Sequence, residues 1–91
     1  MTEMYTLINM LIKADIPFEV YPDVEGTPQV WYPTREKCIC DVICHRYSYG
    51  GREGKLEIMG LVDEARIGDS VEGYLTANQV FERINNHYKS K

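Results

Sequence analysis

The two ends of the chain constrain its fold most. In "MTEMYTLINMLIKADIP", Met4, Leu7, Ile8, Leu11 and Ile12 recur at i, i+3, i+4, i+7 and i+8. That spacing lays one apolar stripe along a helix that starts after Thr2 and ends before Pro17. In "TANQVFERINNHY", Thr76 and Gln79 stand at capping-box spacing, and Val80, Phe81, Ile84 and Tyr88 share one helical face. Helices that are apolar on one side only must cover something. The residues between them supply it: "FEVY", "PQVWY", the long run from Lys37 to Arg46, "KLEIMGLV" and "SVEGYL" read as strands, with turn chemistry in "PDVEG" and a surface loop in "DEARIGD". The order α, four or five β, α predicts an α+β fold. In it one meandering antiparallel sheet of four to five strands carries an N-terminal and a C-terminal helix on the same face.

A chain of 91 residues fits a single domain spanning 1–91. A domain this small buries only about 60 to 65% of the surface its unfolded chain exposes, so little stability is in reserve. The net charge of −4 sets the molecule against nucleic-acid polymers. It does not oppose local capture of one small phosphorylated ligand, where two or three arginines dominate at short range. The first segment lacks the basic region and small-residue cleavage site of a signal peptide, and no apolar run approaches the roughly 18 residues a bilayer span requires. Three cysteines form an odd set without a disulfide framework, so a reducing cytoplasm is the expected location and no membrane partner is expected.

The richest stretch is "CICDVICHRYSYGGREGKLEIMG". On a strand, Cys38, Cys40, Val42 and Cys44 share one face and Ile39, Asp41, Ile43 and His45 the other. Cysteines grouped with valine read as small buried hydrophobes under the helices. A metal site is disfavoured, because Cys38 and Cys44 lie about 20 Å apart along a strand. Asp41 and His45 are separated by about 13 Å on the same rise, which argues against a catalytic dyad within the strand and leaves His45 to meet a residue from elsewhere. "GGREGKL" departs from a phosphate loop in glycine spacing, in the Leu56 that follows Lys55, and in the β-like segment that comes next. No catalytic residue, metal ligand or cofactor is expected.

What remains is a glycine-bearing loop dense in groups that hold ligands. His45, Arg46, Tyr47, Tyr49, Gly50, Gly51 and Arg52 form the candidate binding set: tyrosines stack on a base, arginines clamp a phosphate, and glycines permit close backbone approach. The same residues equally suit a capped hairpin end. A second candidate surface is the uncovered sheet face. Its outward set, Tyr21, Trp31, Ile39, Ile43, Met59 and Leu61, is too apolar to be left wet, so a homodimer or another partner is expected through Trp31, Tyr21, Ile43 and Met59.

From Phe18 onward the chain also resembles a group of small proteins encoded by phages and mobile elements of Firmicutes. The likeness lies in "CDVICHRYSYGGREGKLEIMGLV" and "GYLTANQVFERINNHY". That group has no assigned function. The resemblance implies a setting of phage and host conflict, in which small cytoplasmic proteins inhibit defence enzymes or sequester their nucleotide signals, and it carries over no catalytic residues. Three classes follow. The first is a non-catalytic protein that captures a nucleotide-like ligand at a dimeric site, and the second is an inhibitor docking on a host protein. The third is an enzyme, for which Asp41, His45, Glu57 and His87 lack a diagnostic spacing.

Overall fold

A computed structural model of the chain describes residues 3–23, 25–63 and 70–90. Its elements run α1 (Glu3–Lys13), β1 (Glu19–Pro22), β2 (Pro28–Pro33), β3 (Cys38–Ile43), β4 (Leu56–Met59), β5 (Val71–Leu75) and α2 (Ala77–Lys89). The five strands form one sheet in the order β1-β2-β3-β4-β5, every pair antiparallel, so the fold is α+β. Val30, Tyr32, Cys40, Val42, Leu56, Ile58 and Leu75 point inward and meet Met4, Leu7 and Leu11 of α1 and Ala77, Val80 and Ile84 of α2 in one buried cluster. The two helices also pack on each other. The Glu3 carboxylate accepts a 2.7 Å hydrogen bond from the backbone N–H of Ala77, tying the start of α1 to the start of α2 across 74 residues.

Both helix ends have identifiable causes. At α2, Thr76 Oγ1 accepts from the Gln79 N–H while the Gln79 side chain accepts from the Thr76 N–H, a complete capping box. α1 stops two residues ahead of where Pro17 alone would require. Asp15 turns left-handed (φ 57), the Ile16 N–H reaches the Leu11 carbonyl and the Asp15 N–H the Ile12 carbonyl. These are the paired bonds of a Schellman ending, and the buried Ile16 packs with Leu11 in the core. The apolar stripe is narrower than its spacing suggests. Ile12 is 60% exposed, since at 100° per residue it lies about 80° around the helix from Met4.

The cysteine strand is also shorter than expected. β3 ends at Ile43, so Cys44 and His45 lie beyond it and the alternation does not extend to them. Cys40 is buried, Cys44 half-buried against the core, and Cys38 exposed, because Cys38 opens β3 beside the register shift at Tyr32 and Pro33. Burial, and then the neighbouring Cys38 and Asp41, push the Cys40 thiol up to about 12, and burial also raises Cys38 and Cys44. Thiolates carry the reactivity, so all three are slow nucleophiles and access sets their order. A small alkylating reagent at pH 8 should label Cys38 first and Cys44 later, and reach Cys40 only on unfolding. Peptide mass spectrometry of a labelling time course checks this; early labelling of Cys40 would contradict the core placement.

On the other sheet face lie Tyr21, Trp31, Ile43 and Met59, the partners of rows that also contain Glu19, Gln29, Asp41 and Glu57. Leu61 does not join them. With Gly60 and Leu61 both at positive φ, the chain turns away and Leu61 packs against the core. Arg83 of α2 holds this exit, with a two-pronged pair to Glu72 (2.7 and 3.0 Å) and a bond to the Leu61 carbonyl. Most of the "DEARIGD" loop lies outside the described residues.

Candidate functional site

The loop from Cys44 to Lys55 is built as a rigid platform. Ser48 Oγ both donates to the His45 carbonyl (2.7 Å) and accepts from the His45 N–H (3.0 Å), closing the first turn. A single 3-10 turn, Gly51–Glu53, follows, and the Lys55 N–H returns to the Gly50 carbonyl at 2.9 Å. A Cβ on Gly51 would stand 1.7 Å from the His45 carbonyl oxygen, so only glycine lets the two backbones lie this close.

Further contacts fasten the platform on two sides. Toward β4 and β5, the Tyr49 N–H donates to the Glu57 carboxylate at 2.8 Å and the Tyr74 N–H to the Tyr49 carbonyl at 3.1 Å. Gly73 makes that approach possible, since a Cβ there would come within 2.2 Å of Tyr49 Cβ. At this point Gly73 and Tyr74 together oppose Glu57, a β-bulge, and Tyr74 takes φ 59, a left-handed conformation that non-glycine residues rarely hold in a sheet. Toward the β1–β2 turn, His45 Nε2 lies 3.7 Å from Asp23 Oδ2, and its Nδ1 accepts from the Tyr47 N–H, which places the ring proton on the Asp23 side. Burial works to raise the Asp23 carboxyl, but hydrogen bonds from Thr27 and from the Glu25 and Thr27 backbone, with His45 adding to them, leave it below its ordinary value. Arg46 pairs with Glu25 at 2.9 Å and lies 4.9 Å over the Tyr47 ring.

The seven residues expected to hold a ligand therefore divide. His45, Arg46, Gly50 and Gly51 face inward on the fold or onto the β1–β2 turn and shape the platform. Tyr47 and Tyr49 present their rings to solvent, at 69% and 64% exposure, and Arg52, in the 3-10 turn that follows, is exposed as well. Tyr74, 60% exposed, is a residue the sequence reading missed. The signal available for it was Gly73, a glycine inside a strand, which marks a bulge or a close backbone approach. Among the described residues, no three His, Cys, Asp or Glu side chains converge as a metal ion requires. His87, another ionisable candidate, shares a 2.8 Å hydrogen bond with the buried Tyr32 hydroxyl and meets its ring edge-on. Burial, then Cys40 and Tyr88, raise the Tyr32 phenol.

Among the described residues, no helix is long and apolar enough to cross a membrane. Comparison with protein-family models, with curated proteins and with solved structures returns no match to this chain.

Proposed function

We propose that this protein captures a small nucleotide-derived molecule without altering it, and that the tyrosine-bearing platform between β3 and β4 is where the ligand sits. The observation that carries this reading is the exposure of Tyr47, Tyr49 and Tyr74 on a backbone held to β4, β5 and the β1–β2 turn, with Tyr74 at strained dihedrals. Rigid scaffolds that present exposed, strained side chains are where binding concentrates. Tyr47, Tyr49 and Tyr74 supply stacking surfaces, Arg52 a phosphate contact, and His45 with Arg46 the anchorage. The imidazole of the platform, His45, is engaged on both nitrogens, by the Tyr47 N–H and beside Asp23, which supports a ligand that leaves as it arrived. A counter-defence role, in the cytoplasm of a phage-infected host, fits such sequestration.

Sequestration demands tight binding, and a nanomolar dissociation constant corresponds to about −12 kcal/mol. Each stacked base contributes about 1–3 kcal/mol, and each charge-assisted bond about 1.5–3, so several of these groups must act together. Incubation with cyclic oligonucleotides and cyclic ADP-ribose isomers, removal of free ligand and heat release should return one of them unchanged. Tyr49→Ala and Arg52→Ala should each lower retention at least tenfold. Tyr74→Gly should do the same while leaving the fold equally stable or up to about 1 kcal/mol more stable, because glycine adopts positive φ freely. A converted product would mean an enzyme. Absence of retention across the panel would move the reading to a host-protein inhibitor, for which the exposed tyrosines are equally apt anchors.

A further inference from the structure

Between the first turn of α1 and the β1–β2 turn a cavity of about 260 Å³ opens, lined by Met4, Tyr5, Gly26, Thr27, Pro28 and Cys44. None of the six residues carries a charge, and the polar groups of the turn are already committed. Thr27 Oγ1 donates to Asp23 Oδ2 at 2.9 Å and the Thr27 N–H to Asp23 Oδ1 at 3.2 Å. The Thr27 carbonyl accepts from the Asp23 N–H, the Gly26 N–H donates to the Asp23 carbonyl, and Pro28 has no N–H to offer. These bonds also fix the turn, while Met4 is buried in the core and Cys44 packs against it, so the walls are shaped in advance. Water in such a space finds few of the polar partners that would order it, and an apolar group that displaces weakly held water gains affinity.

Size and charge narrow what the cavity can hold. An apolar cavity of about 150 Å³ accommodates a benzene ring, so this one has room for a six-membered ring and a short tail. Burial, then Asp23 and Glu3, push the Cys44 thiol up, which marks the surroundings of its sulfur as negative. Glu3, in the first turn of α1, also offsets the positive end of that helix. Arg46, two residues beyond Cys44, is paired with Glu25. We infer that this cavity binds a small aromatic amine, its ring inside and its ammonium at the mouth. An anion of the same shape meets the field of Asp23 and Glu3 with the wrong sign. The inference stands apart from the nucleotide reading, since the residues that line this cavity include none of the tyrosine platform.

Cys44 lines the wall, so its labelling reports occupancy. The probe is phenethylamine, with phenylacetate as its counterpart of opposite charge. At pH 7, millimolar phenethylamine should slow the reaction of Cys44 with N-ethylmaleimide at least threefold, while the exposed Cys38 labels at its own pace and controls for the reagent. Phenylacetate at the same concentration should leave both rates unchanged. In proton–nitrogen spectra the Gly26 and Thr27 amides should shift with the amine. Cys44→Ser keeps the space and should keep those shifts, whereas Cys44→Met extends a longer side chain from the wall and should weaken binding at least tenfold. Far-UV circular dichroism confirms that both variants are folded, and the labelling of the wild type stands without them. Unslowed labelling of Cys44, equal protection by phenylacetate, or a folded Cys44→Met that binds as the wild type does would each overturn the assignment.

Discussion

Gly51→Ala should cost about 3 kcal/mol of stability, at the upper end of what forcing extra atoms into a packed site produces, and should abolish ligand retention. The added methyl would fall on the His45 carbonyl oxygen and within 2.5 Å of Ser48 Oγ. Both groups belong to the turn that seats the platform, so neither yields alone. Displacing them carries the His45 ring away from Asp23 and the Tyr49 backbone away from Glu57 and Tyr74. Urea unfolding followed by the Trp31 fluorescence measures the loss. A variant as stable as the wild type, with ligand retained, would mean that the turn does not sit as described. Gly54→Ala is the internal comparison: nothing lies within 4 Å of its Cβ position, and its cost comes only from positive φ.

The second large effect is in the core. Tyr32 is the bulkiest of the fully buried side chains, lying between the sheet and α2 with its hydroxyl on His87. Tyr32→Ala should destabilise by about 3–5 kcal/mol, the range for emptying a buried aromatic site. For a domain of this size that is a large share of the margin of stability. Tyr32→Phe keeps the ring and removes only the hydrogen bond, so it should cost about 1 kcal/mol. The ratio of the two separates packing from polar satisfaction. Equal losses would mean that the hydroxyl, not the ring volume, dominates at this position.

What the sequence reveals and conceals here follows from the range of the interactions. The capping box at Thr76, the α1 stripe and the alternating strands are written within a few residues, and their periods identify them. The end of β3 is not, because Cys44 and His45 continue an acceptable alternation. What stops the strand is the turn closed by Ser48 and the attraction of His45 to Asp23, 22 positions earlier. Asp15 carries the helix ending that Pro17 advertises, since aspartate in the left-handed region leaves no compositional mark. Leu61 reads as one more outward residue until the positive φ at Gly60 and Leu61 redirects it. In the candidate site, Tyr47, Tyr49 and Arg52 are neighbours in sequence and all three are exposed. Tyr74 was not legible with them, because a bulge between β4 and β5 brings it to Tyr49 across a gap of 25 residues.

The bond from the Ala77 N–H to Glu3 also sets an order of events during synthesis. Strands that pair only with their sequence neighbours can zip as the chain emerges, with short loops to close at each step. α1 precedes the sheet in the chain, yet it completes its packing only against α2, which follows the sheet. Until α2 emerges, Met4, Leu7 and Leu11 are therefore left without the cover that Val80 and Ile84 belong to. A nascent chain halted before Thr76 would display an apolar helix to the ribosome surface and to chaperones, and the arrival of α2 converts that display into a sealed core.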